Sequence, residues 1–111
     1  MANPLKGESA LKALGKSWTL KLPFSEGKRL KSEHGIDLIN DGASMADIDK
    51  FDVVLQAMMR KMHPDEATEE NALAILDEVG MRPVIEAMQP ALAAFLGVPV
   101  EELRKAGANP Q

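Results

Sequence analysis

Trp18, Leu20, Leu22 and Phe24 alternate with Thr19, Lys21 and Pro23, which places the four large apolar side chains on one face of an extended chain. That period of two predicts a strand. Gly15-Lys16 just before it predicts the turn back from a first strand over residues 9–14, so residues 8–24 read as an antiparallel β-hairpin. The first arm, SALKAL, suits a helical turn equally well on propensity alone. From Ser25 the pattern changes. Ser25 is placed to cap a short helix through Glu33, with His34 in its last turn and Gly35 ending it. Gly27 weakens that helix by about 1 kcal/mol relative to alanine. The following IDLINDG reads as an apolar edge leading into a turn.

The clearest helical period runs from about Met45 to Met62, where Phe51, Val54, Leu55, Met58 and Met62 form one stripe. Ser44 with Asp47 suggests its capped start, and His63-Pro64 stops it. Thr68 caps the next helix, with Glu69 and Glu70 at its positive end and Ala72, Ile75, Leu76 and Val79 on its apolar face. Gly80 ends it. A further helix over 83–96 carries Val84, Ile85, Met88, Leu92 and Phe95, and Pro90 inside the stripe predicts a kink or a break. Residues 98–106 suit one short terminal helix, and 107–111 a disordered tail. The fold class expected is α+β. A single domain spans 1–106, with the hairpin at 8–24 followed by a helical body of about four helices over 25–106.

A chain of 111 residues has room for one modest core. The absence of cysteine excludes disulfides, thiolate zinc sites and cysteine nucleophiles. No apolar secretory core opens the chain, and the uncharged stretch 87–100 is too short to span a bilayer, so a cytoplasmic location without membrane contact is expected. The net charge of −4 is unevenly spread. Residues 1–31 hold Lys6, Lys12, Lys16, Lys21, Lys28, Arg29 and Lys31 against Glu8 and Glu26, while the remainder is strongly acidic. A basic head on an acidic body suits subunits that associate head to tail. Nucleic acid is not an expected partner, because the basic segment has one tryptophan and no stacking array.

Candidate chemistry is thin. Gly15-Lys16-Ser17 has the letters that close a phosphate-binding loop, but Ala10 stands where the second glycine is required and a strand follows instead of a helix. The two histidines lack partners at ligand spacing. In the acidic turn at 37–42, Ile39 occupies a calcium-ligand position and Ile48 the place of the bidentate glutamate. Asp65, Glu66, Glu69 and Glu70 are accounted for by a helix start. The expectation is a non-enzymatic protein without cofactor or metal. Met58, Met59, Met62, Met81 and Met88 fit core positions, and also a groove that accepts irregular apolar partners.

The chain resembles the small tail-assembly proteins of siphophages and gene transfer agents. The opening carries Asn3, Pro4, Gly7 and Glu8, in the family's ANP, basic residue and GE order. Gly15-Lys16 and Trp18-Thr19-Leu20 match its turn and aromatic-Thr-Leu strand, Phe24 its entry into a helix, and Glu33 with Gly35 the end of that helix. Arg60 to Glu70 is similar to its later turn, and 91–97 to its terminal alanine-rich helix. Leu14 departs from the polar turn residue usual there, Ser9 from an apolar one, and Gly27 and Pro90 interrupt helices that are normally continuous. The resemblance implies a chaperone that coats the tape-measure protein before the tail tube polymerises, with the tail-tube protein as a second partner. A structural minor-tail or tail-tube component is the alternative within the family. On either reading, Trp18, Leu20, Leu22, Phe24, Met58, Met59, Met62, Met88, Leu92 and Phe95 are the candidates for partner binding or self-association.

His63-Pro64-Asp65, between two amphipathic helices, also resembles the loop by which J-domain co-chaperones stimulate their heat-shock ATPase. Arg60-Lys61 fits that family, whereas Asp47, Asp49 and Asp52 upstream and the ALAILDEVG helix downstream do not. That reading stands behind the tail-assembly one.

Overall fold

Ser9–Ala13 (β1) and Lys16–Leu20 (β2) pair antiparallel, with Leu11 opposite Trp18 and Ala13 opposite Lys16. The computed structural model describes residues 7–40 and 48–103. Leu14 and Gly15 make the two-residue turn, and both have positive φ, 56° and 76°, as a type I′ turn requires. SALKA is therefore a strand and not a helical turn: its pairing with β2 and the burial of Leu11 and Ala13 override its indifferent propensity. The inward face holds Leu11, Ala13, Trp18 and Leu20, all buried, and Ala10, Lys12, Ser17 and Thr19 face outward.

Four helices follow: α1 (Phe24–His34), α2 (Ile48–Arg60), α3 (Glu69–Val79) and α4 (Met81–Leu96). A last helical turn covers 100–103. The α+β architecture with an N-terminal hairpin ahead of a helical body is thus realised. The hairpin packs on α2, α3 and α4, and α1 packs on α2. One core runs through all of them, centred on Trp18, Phe51, Leu55, Met58, Ile75 and Met88.

The helix ends follow local chemistry. Thr68 accepts the Asn71 amide at 3.1 Å, the side-chain cap that its position predicts. Gly35 ends α1 in the left-handed conformation, its amide bonding the Lys31 carbonyl and the Ile36 amide the Leu30 carbonyl. The start of α1 is Pro23, not Ser25: the extended backbone of Pro23 precedes the helix, and its carbonyl receives the Glu26 and Gly27 amides. The strand ends at Leu20, Leu22 is buried in the link that follows, and Phe24 is the first residue of a helix. At the other end of α2 the helix closes at Arg60, so Met62 lies past it in the turn. Lys21 donates its amide to the Met58 carbonyl at 2.9 Å, which satisfies one of the acceptors a helix C-terminus leaves open.

Of the kink or break expected at Pro90, the break does not occur: α4 continues through it. Val84 and Met88 before it and Ala91, Leu92 and Ala93 after it are all buried on the same core. Burial on both sides outweighs the roughly 3 kcal/mol that an interior proline costs. The helix also begins two residues earlier than its pattern indicated, because Pro83 falls in the first turn, where its missing N–H has no intrahelical acceptor to lose. Ser44, Asp47 and the expected start of α2 near Met45, together with Asn3, Pro4 and the tail after Leu103, lie outside the described residues.

Candidate interaction surface

Of the ten side chains expected to face a partner, seven are core. Trp18 is 1% exposed, Leu20, Met58, Met59 and Met88 are fully buried, and Leu22 and Leu92 nearly so. A stripe at helical spacing marks which side chains share a face; it does not say whether that face meets a partner or the protein's own interior, and here it meets the interior. Phe24, Phe95 and Met62 remain at the surface.

Phe24 is 62% exposed and stacks on Phe95 of α4, with ring centroids 5.5 Å apart and planes at 29°. Their contact depends on Gly27, one turn after Phe24 on the same side of α1: a Cβ at Gly27 would overlap the Phe95 ring. The glycine that weakens α1 thereby lets α4 bring its aromatic against the helix. Beside the rings, the Asp37 carboxylate accepts the Ile39 and Asn40 amides at 3.1 and 3.0 Å, the Asn40 side chain at 3.0 Å and Lys31 Nζ at 3.1 Å. These bonds, led by those from Asn40, hold the Asp37 carboxyl well below the usual carboxylate range. They also fix a tight turn that leaves Ile39 61% exposed. Phe24, Phe95, Ile39, Lys28 and Lys31 together line one recess.

A second apolar surface lies at the other end of α4. Ile48 at the start of α2 is 79% exposed and Leu73 on α3 is 45% exposed. With Leu76 and Met81 they line a groove whose wall carries Asp52 and Asp77 and no basic side chain.

The sequence motifs take part in joining the hairpin to the loop after α2. Lys16 pairs with Glu66 at 2.8 Å and sits 4.3 Å from the centre of the Trp18 ring. His63 Nε2 accepts the Thr19 amide at 3.0 Å, and its ring lies 5.0 Å from Trp18. Because Nε2 accepts, the proton of the neutral ring is on Nδ1, which faces Glu66 Oε1 at 3.7 Å. The Lys16 hydrogen bond is the main reason the Glu66 carboxyl sits below its ordinary pKa. Gly15-Lys16-Ser17 is a turn and strand tied to this loop, and the imidazole of His63-Pro64-Asp65 is turned onto the hairpin. Gly7, with φ of 74°, lies so close to α4 that a Cβ would come 2.7 Å from that of Ala94. Glu8 follows it, half-buried, ahead of β1.

Among the described residues no cluster of three or more His, Asp or Glu is placed to hold a metal ion, and no helix is long and apolar enough to cross a membrane. No protein-family model matches the chain, and no curated protein or solved structure gives a significant match.

Proposed function

We propose that this chain is a non-catalytic tail-assembly chaperone of a phage or gene transfer agent, which binds the tape-measure protein and keeps it soluble until the tail tube forms around it. One observation carries the reading beyond the sequence resemblance: Phe24 with Ile39, and Ile48 with Leu73, are large apolar side chains held outward in two patches of a small domain. Surfaces of that kind mark protein contacts. The family-like residues support the reading differently, by building the frame: Gly7 admits α4, Gly15 makes the hairpin turn, Gly35 ends α1, and Lys16 and Thr19 join the hairpin to the loop after α2.

Co-expression with the tape-measure protein of the same gene cluster tests it, with pull-down and light scattering as readouts. A soluble complex holding several copies per tape measure is the expected result. An insoluble tape measure beside an indifferent partner would overturn it. Recovery of this chain in purified particles would favour the structural tail component instead.

A further inference from the structure

Two of the ties between the hairpin and the turn after α2 meet at one acid–base pair. His63 Nε2 accepts the Thr19 amide at 3.0 Å, and Glu66 Oε1 accepts Lys16 Nζ at 2.8 Å. The pair is itself within reach, with His63 Nδ1 3.7 Å from Glu66 Oε1. A ring nitrogen accepts a hydrogen bond only while it carries no proton, so the Thr19 bond exists only with a neutral imidazole. The ring is positioned from two other sides. The His63 amide donates to the Met59 carbonyl near the end of α2, and the imidazole lies 5.0 Å from the Trp18 ring. With 15% of its side chain exposed, His63 remains open to protons from solvent.

The charges that face the imidazole are Glu66, on its own turn, and Lys16, which reaches Glu66 from β2. On α2, Arg60 is engaged by Glu26. Asp65 and Lys61, beside His63 in sequence, form no ion pair among the described residues. From α3 the neutral Asn71 meets this turn, its side chain donating to the Glu66 carbonyl. Because Lys16 holds the Glu66 carboxyl below its ordinary pKa, Glu66 stays ionised over the interval in which imidazoles titrate.

We infer that His63 is a proton-operated latch on the hairpin: on gaining a proton its ring gives up the Thr19 amide and turns to Glu66. Protonation puts an N–H at Nε2, facing the Thr19 N–H, and two donors make no bond. The same proton makes the ring cationic, so Glu66 attracts it at Nδ1 in competition with Lys16. A single event thereby breaks one tie and weakens the other. The bond from the Lys21 amide to the Met58 carbonyl involves no titrating group, and Trp18 and Leu20 stay buried, so the hairpin loosens at this margin without leaving the core. The latch is closed at alkaline pH and opens as pH falls between about 8 and 5. It does not rest on the chaperone reading, which stands or falls separately.

Nitrogen-15 NMR of the backbone amides and imidazole rings, over that pH interval, tests it. The Thr19 amide proton is expected to move upfield as its acceptor is lost, with the same midpoint as the His63 ring. His34, exposed at the end of α1, titrates without moving the Thr19 signal. Glu66→Gln removes the attraction and lowers the midpoint by about half a pH unit, whereas Lys16→Met frees Glu66 and raises it by about as much. Both changes are at the surface, so the fold persists. His63→Gln sets an amide oxygen in the place of Nε2, which accepts at every pH, and the Thr19 transition disappears.

A Thr19 amide that stays put while the His63 ring gains its proton would overturn the inference. So would a ring that remains neutral throughout the interval, a transition that persists in H63Q, or midpoints that do not move in E66Q and K16M. If H63Q fails to fold, the wild-type titration and the two surface variants still decide it.

Discussion

The imidazole of His63 accepts the backbone amide of Thr19 at 3.0 Å, joining the turn after α2 to the second strand of the hairpin. Removing the acceptor leaves that amide without its protein partner and strips Trp18 of a ring neighbour. His63→Ala is expected to destabilise the fold by about 1–3 kcal/mol, read as a lower urea midpoint at unchanged slope.

Leu14 occupies a left-handed turn position that costs a branched side chain energy and suits asparagine. Its amide, bonded to Glu78 Oε2 at 2.8 Å, is independent of the side chain. Leu14→Asn should therefore raise stability by about 0.5–1 kcal/mol, measurable as an increase in melting temperature.

Gly7 and Gly15 share a positive φ but not their surroundings. A Cβ on Gly15 meets nothing within 4 Å, whereas one on Gly7 would strike Ala94. Gly15→Ala should cost only the backbone strain, about 1–2 kcal/mol. Gly7→Ala adds overpacking and should cost about 2–4 kcal/mol. Equal costs in parallel denaturation curves would show that Gly7 does not approach α4 as described.

Met58 and Met62, four residues apart in one sequence stripe, should respond oppositely to truncation. Met58 is fully buried and Met62 is 42% exposed. Met58→Ala is expected to cost about 2–4 kcal/mol and Met62→Ala less than about 0.5 kcal/mol, by urea titration.

Asp37 and Glu66 both have lowered pKa values in the folded protein. The unfolded chain then binds more protons at acid pH, so their stabilisation is complete above about pH 5, and it fades as pH falls through the ordinary carboxylate range toward the lowered native values. Asp37→Asn should flatten this acid limb, with the wild-type advantage present at neutral pH and shrinking toward pH 2. Urea midpoints across that range give the comparison.

The hairpin, the Thr68 cap and the Gly35 terminus were legible because each depends on neighbours in sequence. The period of two places Phe24 on the strand because Pro23 continues that period while also opening a helix, and only the helix that follows distinguishes these. The methionine stripe left core and partner groove both open, since periodicity is silent on what a face packs against, and Met58, Met59 and Met88 are core while Met62 is not. His63 offered no local sign of its bond to Thr19, which needs the loop after α2 to reach the hairpin. The aromatic pair was hidden because Phe24 and Phe95 belong to the first and last long helices. Gly27 was the one available sign: a glycine within a helix, one turn after an aromatic, is where another element can come close.

The bond from Thr19 has a consequence for crowding. In this register the Thr19 amide points away from β1, along the open margin of a two-stranded ribbon, where an unrelated extended chain could otherwise add itself. His63 fills that place with a side chain that offers no further strand to extend. Molecules brought close together then do not fuse their ribbons at this margin into a cross-β aggregate.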